Sequence, residues 1–188
     1  MSSALSRATA SSDQFKRVFF ALWPDDSVRS DIESAFNHST FSAANKLSYS
    51  LQNLHLTLHF MGRLELTVID ELASAASSVH APSFELVLNR FGLFADANVL
   101  WLGPEEVPDE LLILHQQLQK ILQASHLKID SRAYQPHVSL LRKFRASPDL
   151  MEKADDVHWV VRKFALIESV QSAAGVIYQP LAEFSLHS

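Results

Sequence analysis

Apolar and polar positions alternate with a period of two along several short stretches of this chain, and recur every three or four positions along three others. The clearest alternation covers residues 54–60, where Leu54, Leu56, Leu58 and Phe60 fall on one face and His55, Thr57 and His59 on the other. That pattern predicts a half-buried strand whose open side is unusually polar, ended by Gly62. Residues 136–142 alternate in the same way, with Val138 and Leu140 opposite His137 and Ser139. A strand is also predicted at 17–23, stopped by Pro24, with two more at 84–94 and 99–102 joined by a turn through Asp96-Ala-Asn98. Two further runs, at 164–170 and 176–186, are split by Gly175.

Helical spacing appears three times. Asp25 and Asp26 offer carboxylates to a helix reaching about Asn37, with Val28, Ile32 and Phe36 on its apolar side. Residues 67–79 form an Ala-rich helix with Val68, Leu72, Ala75 and Ala76 turned inward. Pro108 opens the third, in which Leu111, Leu114, Leu118 and Ile121 make an apolar stripe. Helices interspersed with mostly antiparallel strands predict the α+β class. No Pro- or Ser-rich linker interrupts the middle, so residues 16–188 are expected to be a single domain with two lobes. Residues 1–15, rich in Ser and Ala and without a hydrophobic run, are expected to be a disordered leader rather than a secretory signal.

Composition narrows the chemistry. With 188 residues and a net charge of -5, the chain is not a generally basic, nucleic-acid-coating protein, though a local basic groove stays open. Cys 0 removes thiolate nucleophiles, disulfides and cysteine metal sites together. With Gly 4 and no Gly-rich phosphate loop, chemistry dependent on ATP or NAD is not expected. What remains is His, of which there are 9, with Ser, Thr and the carboxylates. No apolar run approaches the roughly 20 residues that span a bilayer, and the expected location is the cytoplasm.

The candidate chemistry lies in two similar segments, Asn53-Leu-His55-Leu-Thr57-Leu and Gln135-Pro-His137-Val-Ser139-Leu. Residues i and i+2 of a strand share a face roughly 6–7 Å apart, so each segment aims an imidazole and a hydroxyl at one small anion. Two such strands across a groove supply an acid, a base and two donors for phosphate oxygens. A cyclic phosphodiester needs that set: water loses a proton on attacking phosphorus, and the departing oxygen gains one. Imidazole does either near neutrality. No metal or other cofactor is called for.

These residues carry a resemblance. His55-Leu-Thr57-Leu and His137-Val-Ser139-Leu resemble the paired H-x-[ST]-hydrophobic motifs of the 2H phosphoesterase superfamily. The opening Arg17-Val-Phe19-Phe-Ala-Leu-Trp-Pro24 and the blocks ending at Gly62 and Lys143 are similar to the RNA 2',3'-cyclic phosphodiesterases, also called 2'-5' RNA ligases. Gly175-Val-Ile-Tyr178 fits the closing strand of that family. The resemblance runs from about Arg17 to Leu186. It implies a bilobal fold, two small antiparallel sheets lining a concave groove with helices outside. It also implies hydrolysis of RNA 2',3'-cyclic phosphate ends to 2'-phosphomonoesters without metal or cofactor, with reversible 2'-5' ligation as the associated activity. It assigns His137 as the base and His55 as the acid, a choice that spacing alone leaves open. Two departures stand out: Ser139 replaces the commoner Thr, and Lys46-Leu-Ser-Tyr-Ser-Leu51 lacks the Arg and Pro residues often found before the first motif.

Secondary candidates divide by parity. Arg142 lies an odd number of positions after His137, so it meets phosphate only if a bulge or the strand end re-aims it. Lys143 has the matching parity, and Lys46 is a candidate to replace the missing charge. Phe19 is either a stacking platform for a nucleobase or an ordinary core aromatic. His59 is expected to line the groove or face solvent. His38, His80, His115, His126, His158 and His187 have no evident partners, and Glu105-Glu106 and Asp155-Asp156 read as solvated loop charges. The expected partner is an RNA end, with no membrane and no obligate protein. Two rivals are a 2H enzyme for a small cyclic nucleotide or ADP-ribose derivative, and a non-catalytic RNA- or nucleotide-binding module. Only an enzyme needs both imidazoles.

Overall fold

The structure, a computed structural model, describes residues 14–147, 150–173 and 175–187. Strand β1 (Phe15–Leu22) leads through Asp25, whose carboxylate accepts from the Val28 amide at 3.0 Å, into α1 (Asp26–His38). That cap is the one the Asp pair promises. β1 begins at Phe15, inside the segment expected to be a leader, while residues 1–13 lie outside the described residues. β2 (Leu56–Glu65) and α2 (Leu66–Ala76) follow, then the hairpin β3 (Phe84–Phe94) and β4 (Val99–Gly103). The hairpin turns at Asn98, whose φ of 53° is the left-handed conformation Asn tolerates. α3 (Asp109–Ala124), β5 (Val138–Arg142), β6 (Met151–Val161), β7 (Lys163–Ser172) and β8 (Gly175–Ser185) complete the order.

The strands are hydrogen-bonded in the order β6-β3-β4-β5-β2-β1-β7-β8, with every strand pair antiparallel. The expected two small sheets are its two halves, β6-β3-β4-β5 and β2-β1-β7-β8. Among the described residues, the strand register joins them only at the pair Leu56↔Val138. One face of both halves packs on the three helices. Val18, Phe20, Leu22, Leu56, Val138 and Leu102 meet Ile32 and Phe36 of α1, Leu72 of α2 and Leu114 of α3 in one buried cluster. The other face carries a small second cluster of Phe19, Ala21, Ala165 and Ile167, bordered by Trp23 and Tyr178, and the buried Trp101. No helix among the described residues is long and apolar enough to cross a membrane.

Several expectations need correction. Gly62 does not end β2; it sits within the strand at a φ of 79°, at an irregularity where Val18 faces Gly62 but Phe19 faces Phe60. In α3 the buried stripe ends on Leu122 rather than Ile121. Asp155 and Asp156 lie on β6, an edge strand that the sequence pattern does not reveal. Its alternation breaks where β3 and β6 slip register between Leu88 and Arg90, which lets two acidic residues interrupt Ala154 and Val157, both buried. Asp155 binds His38 at 2.8 Å, and His158, on the same strand, binds Glu85 at 2.8 Å. His80 and His187 also pair, at 2.9 Å between ring nitrogens.

Candidate active site

The single joint between the halves places the motifs. Leu56 and Val138 are opposite one another and both are fully buried. Side chains alternate along a strand, so His55, Thr57, His137 and Ser139 all point to the opposite, open face. In an antiparallel register that face sets His55 beside Ser139 and Thr57 beside His137. With strands about 4.8 Å apart and i, i+2 neighbours roughly 6–7 Å apart, the four side chains form a compact rectangle.

Both imidazoles are oriented alike. Nδ1 of His55 meets the Asn53 carbonyl at 2.7 Å, and Nδ1 of His137 meets the Gln135 carbonyl at 2.7 Å. A carbonyl only accepts, so each Nδ1 carries the proton and each Nε2 is left to exchange one. His55 is walled by Phe19 (4.8 Å between ring centroids), Tyr178 (4.9 Å) and Trp23 (6.1 Å). His137 is walled by Phe94 (4.6 Å) and Trp101 (6.4 Å). Trp101 fits because Gly92 lies across from it: a Cβ there would come within 2.1 Å of the indole.

Burial lowers both histidines. His55 falls to about 4, chiefly by desolvation, partly offset by its bond to the Asn53 carbonyl and deepened by the nearby His137. His137 is lowered by desolvation, against the opposing effect of its bond to Gln135. Two neutral imidazoles therefore face the groove at neutral pH.

A bulge decides what else joins them. On β5, Leu100 faces Leu141 but Trp101 faces Ser139, which leaves Leu140 without a partner on β4. Leu140 and Leu141 both turn into the core, and Arg142 swings onto the groove side. Arg142 is fixed there by its amide bond to Ser48 Oγ at 2.9 Å and by donating from Nε to the Tyr49 hydroxyl. Lys143, which regular parity favours, lies past the strand end at a φ of 57°. Lys143 and the exposed Lys46 are absent from the linings of the two cavities on this face.

The first motif carries the same irregularity at the same offset. Phe20 faces His59 and Ala21 faces Thr57, so Leu58 is the extra residue. Leu58 and His59 are both buried, and Phe60 is 53% exposed on the groove side. This overturns the strict alternation expected over 54–60 and the expectation for His59. That ring stacks on His115 at 4.1 Å, away from the groove, and its Nε2 donates to the His115 carbonyl at 2.9 Å. His115 in turn stacks on Tyr134 at 3.8 Å. Phe19, by contrast, is 3% exposed: it is the floor beneath His55, not an open stacking surface.

Two cavities open on this face. One, of about 170 Å³, is lined by Tyr49, Asn53, His55, Ser139, Arg142 and Tyr178. The other, of about 310 Å³, shares His55, Arg142 and Tyr178 and extends past Thr57 to Phe60, Arg17 and Gln171. His137 lies outside both linings and reaches the site through the strand register. Tyr49, Asn53 and Tyr178 carry no motif spacing. Asn53 is placed by donating to the Val176 carbonyl at 2.8 Å, which ties the start of the motif to β8. Among the described residues no three His, Asp or Glu side chains converge as a metal cluster requires.

Comparison with known proteins agrees with this fold. The chain is 26% identical over 171 residues to the RNA 2',3'-cyclic phosphodiesterase of Escherichia coli, covering 91% of this chain and 97% of that protein. It is 27% identical over 178 residues to the protein of the same name from Thermotoga maritima, covering 89% and 94%. The crystal structure of E. coli LigT complexed with 3'-AMP superposes with a TM-score of 0.82 at 26% identity, over 93% of this chain and all of that one. The model of the 2'-5' RNA ligase superfamily matches residues 24–173. The chain belongs to the 2'-5' RNA ligase superfamily.

Proposed function

We propose that the protein hydrolyses RNA 2',3'-cyclic phosphate ends to 2'-phosphomonoesters by general acid–base catalysis between its two motif histidines. The observation that carries this reading is the Leu56↔Val138 pair, which sets two imidazole–hydroxyl pairs on one open face beside Arg142. Relatives named RNA 2',3'-cyclic phosphodiesterase support the substrate class.

The steps balance without a metal. Nε2 of neutral His137 takes a proton from water as its oxygen bonds to phosphorus. The bond from phosphorus to O3' breaks, and O3' takes the proton held on Nε2 of His55. His55 must enter the cycle protonated, against the desolvation that holds it near 4. The bound phosphodiester anion supplies the opposite charge that favours imidazolium. Thr57 and Ser139 donate hydroxyl hydrogens to the non-bridging oxygens, and Arg142 holds the anion, a task that falls to it rather than to Lys46 or Lys143. If the 5'-hydroxyl of a second RNA takes the place of water, the same transfers make a 2'-5' linkage, and their reversal cleaves one. In this reading the protein works in the cytoplasm.

The test is RNA ending in a 2',3'-cyclic phosphate, incubated with the protein in EDTA. The expected product carries a 2'-phosphate and forms at an unchanged rate. Loss of turnover on chelation, restored by a divalent ion, would reject the metal-free scheme.

A further inference from the structure

The groove does not stop at the second cavity. On its face of β1, every second residue outward from Ala21 is Phe19, Arg17 and Phe15. The register on β2 sets Phe19 opposite Phe60, Arg17 opposite Arg63 and Phe15 opposite Glu65. The Arg17 guanidinium lies 4.8 Å from the Phe60 ring centre, and that of Arg63 lies 5.1 Å from the Phe15 ring. Phe60 is 53% and Phe15 37% exposed, so both rings keep open surface. Both arginines are exposed. Among the described residues neither has a carboxylate within ion-pair distance, whereas Lys16, between Phe15 and Arg17, is bound to Glu168 at 2.6 Å.

Two like charges directly across a strand pair oppose folding, and an anion lying between Arg17 and Arg63 removes that penalty. Open rings alternating with guanidinium groups, a step of roughly 6–7 Å apart along the strand, are how proteins hold a single strand of nucleic acid. Bases stack on the rings and phosphates meet the cations.

We propose that the outer half of the β1–β2 strand pair, from Phe60 through Arg17 and Arg63 to Phe15, is a track for the RNA strand that leads to the reacting end. It holds about two nucleotides beyond the terminal one, judged from the strand rise. This rests on the proposed function and deepens it, by assigning the surface that holds the strand behind the reacting end.

The test compares a 2',3'-cyclic mononucleotide with a tetranucleotide ending in 2',3'-cyclic phosphate. The wild-type protein should have the higher kcat/KM on the tetranucleotide. Phe15→Ala should lower that value by roughly five- to a hundredfold, the worth of one stacked base. Arg63→Gln should make the salt slope of tetranucleotide binding shallower by about 0.7, the share of one phosphate on a single strand. Both variants should leave the mononucleotide within about twofold of wild type. Equal use of the two substrates, or variants that depress both alike, would overturn the track and leave the cyclic phosphodiesterase standing. Turnover of neither substrate would overturn the proposed function and the track together.

Discussion

His55 and His137 occupy similar positions with different surroundings. Phe19, Trp23 and Tyr178 enclose the first, and its titration is pressed to about 4; Phe94 and Trp101 flank the second. Their equivalent Nδ1 bonds mean that orientation alone does not separate acid from base. Leaving-group chemistry does. A leaving group of low pKa departs without a proton, so an activated nitrophenyl phosphodiester should partly restore turnover to His55→Ala. It should not restore His137→Ala, because water still needs its base. The opposite pattern would exchange the two roles, and rescue of neither would make both residues phosphate binders. Both histidines and their hydroxyl partners were legible, because each pair sits in one short alternating run. The site roles of Asn53, Tyr49 and Tyr178 were not, although Asn53 opens the first motif segment and Tyr178 lies in the closing strand: Asn53 and Tyr178 meet only because β8 lies alongside the turn before β2.

At the scale of elements, α3 is coupled to β2 by rings. His59 of β2 stacks on His115 of α3, His115 stacks on Tyr134, and the Tyr134 hydroxyl donates to the Thr57 carbonyl at 3.4 Å. Desolvation lowers both histidines, His115 to about 4, with the neighbouring His59 adding to it. Against an unfolded value of about 6.5, the unfolded chain binds more protons as the pH falls through that window. The stability of this contact is therefore complete above about pH 6.5 and lost progressively toward pH 4. His115→Phe keeps an aromatic ring in the stack and removes one titrating group. Its Tm should fall less between pH 7 and pH 5 than that of the wild-type protein. An unchanged Tm profile would show that the stack does not govern acid stability. Sequence reading gave His115 no partner, because a helical residue and a strand residue 56 positions apart share no period.

Across the whole molecule, the two halves of the sheet touch at one strand pair yet share one buried cluster that runs from β3 through β5 and β2 to β7. A continuous core predicts one cooperative transition. Far-UV circular dichroism and tryptophan fluorescence should give the same midpoint in urea, since Trp101 and Trp159 lie in one half and Trp23 in the other. Two separated transitions would mean that the halves fold independently. The sequence by itself determined the α+β class, the helices and the motif strands, because amphipathic periods are local and survive without neighbours. It also determined the candidate chemistry, because imidazole and hydroxyl side chains two apart on a strand share a face wherever that strand is placed. Tertiary structure decided which other side chains face the groove. Leu58 and Leu140 are extra residues only relative to the partner strands β1 and β4. A bulge is a mismatch between two strands, and no pattern within one of them records it. That mismatch turned Arg142 and Phe60 outward, buried His59, and left Lys143 beyond the site.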